Sequence, residues 1–222
     1  MRLDSYLVEM GDFSSRGRAK RAIIEGHVRV NDRIITRPSY DVAYADRVEI
    51  TGDLDKPAGY WKLKEIQEKT NLIREGDRVL DIGSSAGGFL LFASEIASHV
   101  HGIEFSREFR SELKKLAHER PNITIEFGDV FTMPVDREKF DVLLMDITAS
   151  PLSSIKALEN VLPALKSKGL LLQVLKLPKE REREPVLMRL SSLGLEIIQI
   201  LEPEKEEIYI IAKKSTKYFE KL

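Results

Sequence analysis

The stretch VLDIGSSAGGF, residues 79–89, runs apolar, meets Asp81, and then breaks into Gly83, Gly87 and Gly88 before a second apolar run. Glycines just past a strand let a ligand approach the main chain, and the helix that follows offers N–H groups at its first turn. A dinucleotide site asks for Gly-x-Gly-x-x-Gly, and a P-loop for Gly-Lys-Ser or Gly-Lys-Thr. The spacing here is Gly-x-x-x-Gly-Gly, which is neither. The remaining candidate is S-adenosyl-L-methionine, whose carboxylate and amino groups suit such a loop. Ser85 and Phe89 belong to the same stretch and join Asp81 and the three glycines as candidate contacts. Glu104 lies 21 residues after Gly83, at the end of the next strand-like run, where it can accept from two ribose hydroxyls. Asp129, after a third such run, can accept from an adenine amino group.

A second set of ionisable residues falls at strand ends. Asp146 ends FDVLLMD, Lys176 ends GLLLQVLK, and Glu207 begins EIYIIAKK. Parallel strands deliver their last residues to one sheet edge, and an antiparallel strand starts there. Methyl transfer is an in-line displacement, so the nucleophile must be held opposite sulfur at about 3–3.5 Å from the methyl carbon. If the nucleophile is a hydroxyl, its proton must also leave, and an alcohol is a poor acid. A lysine can accept that proton when desolvation or a neighbouring cation favours its neutral form. Lysines with carboxylates to orient them therefore suit this chemistry. Lys62, on a helix-like segment ahead of the first strand, is not brought to that edge by spacing alone.

The elements that position these residues alternate. Strands are expected at RVLDI, HVHGIE, ITIEF, FDVLLMD and GLLLQVLK. Helices are expected over GFLLFASEIA, REFRSELKKLAHER and LSSIKALENVLPALK. Such alternation implies an α/β fold, a mostly parallel sheet covered on both faces. LEIIQILEPEKEEIYIIAKK then implies two final strands, the last one antiparallel.

Residues 1–50 read as a separate α+β unit. RLDSYLVEMG places Leu3, Tyr6, Leu7 and Met10 on one helical face, with Gly11 as a stop. SSRGRAKRAIIEGH reads as a second helix with a serine N-cap, Ala19, Ala22 and Ile23 facing inward and Gly26 ending it. HVRVNDRIITRP reads as a hairpin and DVAYADRVEI as a closing strand. From Ser14 to Arg37 there are seven Arg or Lys against two acids, a local net of +5 in a chain whose overall charge is −1. Arg16, Arg18, Lys20 and Arg21 crowd a helix N-terminus, where the dipole disfavours cations. With Arg29 and Arg33 on the hairpin they form a surface suited to phosphates. The turn-rich TGDLDKPAG contains the expected linker, residues 51–58, and residues 59–222 are the larger domain.

The 222 residues contain no cysteine, which excludes disulfides, zinc–thiolate sites and a cysteine nucleophile. No metal site is expected. The longest apolar runs are strand-length, and no signal-peptide pattern opens the chain, so a cytoplasmic protein without membrane partners is expected.

The first fifty residues resemble the S4 RNA-binding domain. Its framework SRxxAxxxIxxGxVxVN stands here as Ser15, Arg16, Ala19, Ile23, Gly26, Val28, Val30 and Asn31. That resemblance implies a structured RNA partner. VLDIGSSAGGF is similar to the glycine loop of the FtsJ-type RNA 2′-O-methyltransferases, with Ala86 where that family usually has proline. HGIEFSREF and HERPNITIEFGDVF also resemble pieces of archaeal fibrillarin. The fusion of the two modules resembles the hemolysin-A-like ribosomal RNA methyltransferases.

The FtsJ resemblance implies a Rossmann-like methyltransferase sheet, S-adenosyl-L-methionine as donor and a Lys-Asp-Lys-Glu tetrad, matched in order by Lys62, Asp146, Lys176 and Glu207. Lys176 is then the expected proton acceptor. Asp146 would orient it and touch the donor, and Lys62 and Glu207 would position the pair. Lys64 and Glu206 are the alternatives for the first and last members. The expected reaction is methylation of a ribose 2′-hydroxyl, in ribosomal RNA. Competing readings are methylation of an RNA base, a non-catalytic RNA-binding or ribosome-assembly factor, and a membrane-active protein. Base chemistry often relies on an Asn/Asp-Pro-Pro-Tyr loop or cysteines, which this sequence lacks. The loop DITASPLSS departs from the family pattern after its aspartate. LPKEREREP reads as a solvated charged loop in preference to an RNA contact.

Overall fold

The computed structural model describes residues 1–52, 54–176, 183–203 and 207–216. The chain divides into two compact units, Met1–Trp61 and Lys62–Leu222.

In the first unit, α1 (Leu3–Glu9) and α2 (Arg16–Ile24) pack on a sheet of β1 (Val28–Val30), β2 (Arg33–Ile34) and β3 (Val48–Ile50), ordered β2-β1-β3. Ser15 caps α2 by accepting from the Arg18 N–H. Asn31 and Asp32 turn the β1–β2 hairpin at φ of 49° and 67°, the left-handed pair that a two-residue turn requires. Leu3, Tyr6, Leu7, Ala19, Ala22 and Ile23 are buried in the core, whereas Met10 is 54% exposed and leaves the apolar stripe. Met10 lies just past the last helical residue, where the 3.6-residue period no longer governs direction. The expected long closing strand is only β3, because residues 43–46 turn, with the Ala43 N–H donating to Asp46 Oδ2.

In the second unit a seven-stranded sheet has the order β6-β5-β4-β7-β8-β10-β9. Its strands are β4 (Arg78–Ile82), β5 (His99–Glu104), β6 (Ile123–Phe127), β7 (Phe140–Met145), β8 (Leu165–Lys176), β9 (Leu195–Leu201) and β10 (Glu207–Lys214). β10 runs antiparallel and inserts between β8 and β9. The helices are α3 (Ala58–Thr70), α4 (Gly88–Ser94), α5 (Arg110–Glu119), α6 (Pro151–Val161) and α7 (Arg183–Ser192). The helix expected to run on to Lys166 stops at Val161. Pro163 has no N–H to continue it, a short 3₁₀ turn follows, and β8 begins at Leu165.

Strand alternation sorts the side chains. Leu80, Ile82, Met145, Leu175 and Ile210 pack with α6 and α7 on one face. Asp81, Val174 and Tyr209 have the opposite parity and share the face on which α3 meets Tyr209. Strand order reverses between β4 and β7, which opens a crevice at the carboxyl ends of these strands. Among the described residues, no helix is long and apolar enough to cross a membrane.

Candidate active site

The crevice begins with the loop after β4. Gly83 adopts φ of 81°, and a Cβ there would stand 2.8 Å from Ile147 Cγ2 and 3.0 Å from the Asp146 carbonyl oxygen. Gly87, at φ of 78°, caps α4, and its Cβ would stand 2.8 Å from Leu116 Cδ2. Contact with neighbouring protein segments and the left-handed backbone therefore also require glycine at these two positions. Gly88 and Phe89 are buried in the first turn of α4.

Glu104 closes the loop from the side. Its Oε2 accepts from the Ser85 N–H at 2.7 Å and its Oε1 from the Ser106 N–H at 2.6 Å. The Ser85 N–H is thus used by protein. A carboxylate has about four acceptor sites, so Glu104 keeps capacity for further donors. Asp129 Oδ1 accepts from the Phe131 N–H at 2.9 Å, which fixes the turn after β6.

Asp81 differs from both. It is 1% exposed, and neither carboxylate oxygen has a partner among the described residues. Burial, opposed by the nearby Ser84 hydroxyl and reinforced by the charges of Asp146 and Glu104, pushes its pKa up to about 7. A buried carboxylate with no protein donor calls for a cation or a donor from a ligand. The amino group of S-adenosyl-L-methionine meets that need. The residues present fit this donor: Asp81 for its ammonium, Glu104 for ribose hydroxyls, Asp129 for the adenine amino group. Phe105 is 76% exposed and Phe131 42% exposed, next to Glu104 and Asp129 respectively. In the sequence these rings are marked only by position, Phe105 directly after Glu104 and Phe131 two residues after Asp129.

Three members of the ordered tetrad meet. Lys62 Nζ stands 2.9 Å from Asp146 Oδ2 and 3.1 Å from Glu207 Oε2. Burial opposes the ammonium, but Asp146 and Glu207 outweigh it, and the Lys62 pKa is held above the ordinary lysine value. Asp146 therefore engages Lys62, not Lys176 as expected. Lys176 faces Glu207 directly across the β8–β10 register, so the two side chains leave the same face of the sheet. Lys176 is exposed there, and among the described residues it makes no ion pair. Lys64, two residues from Lys62, is not part of the cluster with Asp146 and Glu207. Glu206 lies outside the described residues. The Tyr209 hydroxyl donates to Glu207 Oε2 at 3.3 Å, and the Lys62 ammonium sits 5.6 Å from its ring centroid. Tyr209 follows Glu207 by two positions on one strand, and that spacing is the signal that places it on the same face.

The cations of the first unit divide. Arg16 and Arg2 each reach Asp4 at 3.0 Å, and Lys20 stands 4.0 Å from it. Asp4 is fully buried, which works against its charge, yet the two guanidinium groups bring its pKa down to about 2. Arg18 binds Asp55 at 3.2 Å and Arg21 binds Glu25 at 2.9 Å. Local structure thus does account for part of this cluster, contrary to expectation. Arg29 and Arg33 are exposed on the hairpin.

A glycine-loop crevice at the switch point of a β6-β5-β4-β7-β8-β10-β9 sheet defines the Rossmann-like methyltransferase class. Residues 58–215 match the FtsJ-like methyltransferase family, and the chain belongs to it. Residues 1–48 match the S4 domain. The chain is 31% identical over 115 residues to ribosomal RNA large subunit methyltransferase E of Syntrophobacter fumaroxidans, covering 47% of this chain and 54% of that one. It spans about half the length of the curated relatives it matches. A putative hemolysin from Streptococcus thermophilus shares the fold over 97% of this chain and 89% of its own, with a TM-score of 0.60 and 18% identity. Aeropyrum pernix fibrillarin, solved with natively bound S-adenosyl-L-methionine, aligns over 69% of this chain and 75% of its own, with a TM-score of 0.59 and 22% identity.

Proposed function

We propose that the chain is an S-adenosyl-L-methionine-dependent RNA methyltransferase that modifies a ribose 2′-hydroxyl of structured, ribosomal RNA. The observation that carries this reading is the Lys62 ammonium bridging Asp146 and Glu207 beside Lys176 at the crevice edge. When bound, the donor supplies an electrophilic methyl group on a sulfonium.

The roles of the side chains follow from their partners. Asp81 holds the donor ammonium, Glu104 its ribose and Asp129 its adenine. Lys62 does not accept a proton, since two carboxylates keep it charged. Its charge instead fixes Asp146 and Glu207 and supplies positive potential where the reacting hydroxyl must lie. Lys176 is the amine on that edge not committed to Asp146, and we assign it the proton leaving the 2′-hydroxyl, its neutral form being favoured once bound RNA covers the exposed amine near the Lys62 cation. Glu207, opposite it in register and held by Tyr209, steadies the resulting ammonium. The S4 domain is the RNA handle, through Arg29 and Arg33 together with the exposed parts of Arg16, Arg18, Lys20 and Arg21.

The test is to incubate the protein with labelled donor and ribosomal RNA, digest the RNA, and identify the modified nucleoside. A 2′-O-methyl nucleoside, abolished in Lys176→Ala with donor affinity retained, is expected. Label on a base would overturn the ribose assignment, and RNA binding without transfer would favour a non-catalytic factor.

A further inference from the structure

The far end of the same sheet carries a second concavity, of about 250 Å³, lined in part by Arg74, Lys166, Lys168 and Lys213. Three separate segments bring these cations together. Arg74 comes from the loop between α3 and β4, Lys213 from the end of β10, and Lys166 and Lys168 from an irregularity in β8. Pairing of β7 with β8 jumps there from Phe140↔Leu165 to Val142↔Leu170, which lifts residues 166–169 out of the ladder. The irregularity is held in shape. Lys168 adopts φ of 67°, and a Cβ on Gly169 would meet the Lys166 and Asp141 carbonyl oxygens at 2.8 and 2.9 Å. The Ser167 N–H donates to Glu138 Oε2 at 2.9 Å.

Two acids also line the concavity, and both are engaged. Asp141 takes Lys166 at 2.7 Å and the Arg78 N–H at 2.9 Å. Asp77 takes the Arg74 N–H at 2.8 Å. Arg74, Lys168 and Lys213 are exposed, and among the described residues none of the three makes an ion pair. Arg74, Lys166, Lys168 and Lys213 against Asp77 and Asp141 leave the lining with a net charge of +2, which an anion offsets. Leu170 and Lys213 lie on the sheet face that carries Lys176 and Glu207, six strand residues away, or about 20 Å.

We propose that this concavity binds a phosphate group, either a backbone phosphate of the RNA substrate or a free phosphate. The RNA source rests on the function proposed above, and the phosphate chemistry does not. The tested protein is the full chain carrying Arg74→Gln, Lys168→Asn and Lys213→Gln. All three positions are exposed, and asparagine tolerates the left-handed backbone at residue 168. One arm titrates inorganic phosphate and follows amide shifts of residues 166–170 by NMR. The other measures affinity for a labelled ribosomal RNA fragment between 50 and 200 mM KCl, with donor affinity as control. For an RNA phosphate, the variant binds about tenfold or more weaker at the lowest salt, and its log–log salt slope is shallower by about 2. For a free phosphate, the wild-type shifts saturate and the variant's do not, while the RNA slope is unchanged. Identical salt slopes together with no saturable phosphate shift overturn the proposal. Wild-type protein that binds phosphate here but fails to bind RNA would leave this site standing and sink the RNA reading alone.

Discussion

Lys62 and Asp146, 84 positions apart in the chain, meet at 2.9 Å, and the same ammonium reaches Glu207 at 3.1 Å. One cation therefore ties the start of the larger unit to two strand ends. Replacing it by methionine leaves two carboxylates facing each other without their counter-ion. Lys62→Met is expected to cost about 1.5–3 kcal/mol in stability, the usual worth of hydrogen bonds to charged groups. Methyl transfer should fall by about 10²–10³, the usual cost of removing one preorganised electrostatic contact. Urea denaturation and single-turnover transfer measure the two separately. Full activity in Lys62→Met would remove this residue from the chemistry.

Asp81 links stability to pH in a direction opposite to most carboxylates. Its pKa rises from 3.8 in the unfolded chain to about 7 in the folded protein. The folded state thus binds the extra proton, so stability falls as pH rises from about 4 to 7 and stays low above. Asp81→Asn should flatten that decline and be more stable than wild type at pH 8 by a few kcal/mol. It should also bind donor at least tenfold more weakly. In the wild type, donor affinity should drop as pH falls below 7, because protonated Asp81 no longer attracts an ammonium. Calorimetric titration of the donor's demethylated product, S-adenosylhomocysteine, at pH 6 and pH 8 reads this, and equal affinities would contradict it.

Asp4 behaves in the ordinary sense. Its pKa is lowered from 3.8 to about 2, so the stability it contributes is present above about pH 4 and is lost as pH falls through 2. Asp4→Asn weakens its contacts with Arg2 and Arg16, and a loss of about 1.5–3 kcal/mol in the first unit is expected. Thermal unfolding at pH 7 and pH 3 checks both statements.

The arginines should separate by experiment in the same way. Arg29→Gln and Arg33→Gln are expected to lower RNA affinity, each reducing the salt slope by about 1, with no change in melting temperature. Arg16→Gln should lower both RNA affinity and melting temperature, because its partner Asp4 is buried. A normal salt slope in the Arg29/Arg33 double variant would reject the hairpin as an RNA contact.

The glycines give a structural control. Gly83→Ala places a side chain at φ of 81° and 2.8 Å from Ile147 Cγ2, so a loss of more than about 1 kcal/mol is expected. Gly128→Ala meets nothing nearer than Met133 Sδ at 3.4 Å and should be tolerated. Denaturation midpoints of the two variants decide this.

The sequence by itself determined the strand and helix succession, because period-two and period-3.6 patterns are local. It also marked strand-end residues such as Glu104, Asp146 and Lys176, because a strand's end is visible in its own composition. The tertiary structure decided which of these meet. It joined Asp146 to Lys62, filled the space beside Gly83 and Gly87 with protein, and spent Arg16 on a buried Asp4. It inserted β10 between β8 and β9 and gathered Arg74, Lys168 and Lys213 around one hollow. Burial and ion pairing depend on distances between residues far apart in the chain, and no local pattern encodes those distances.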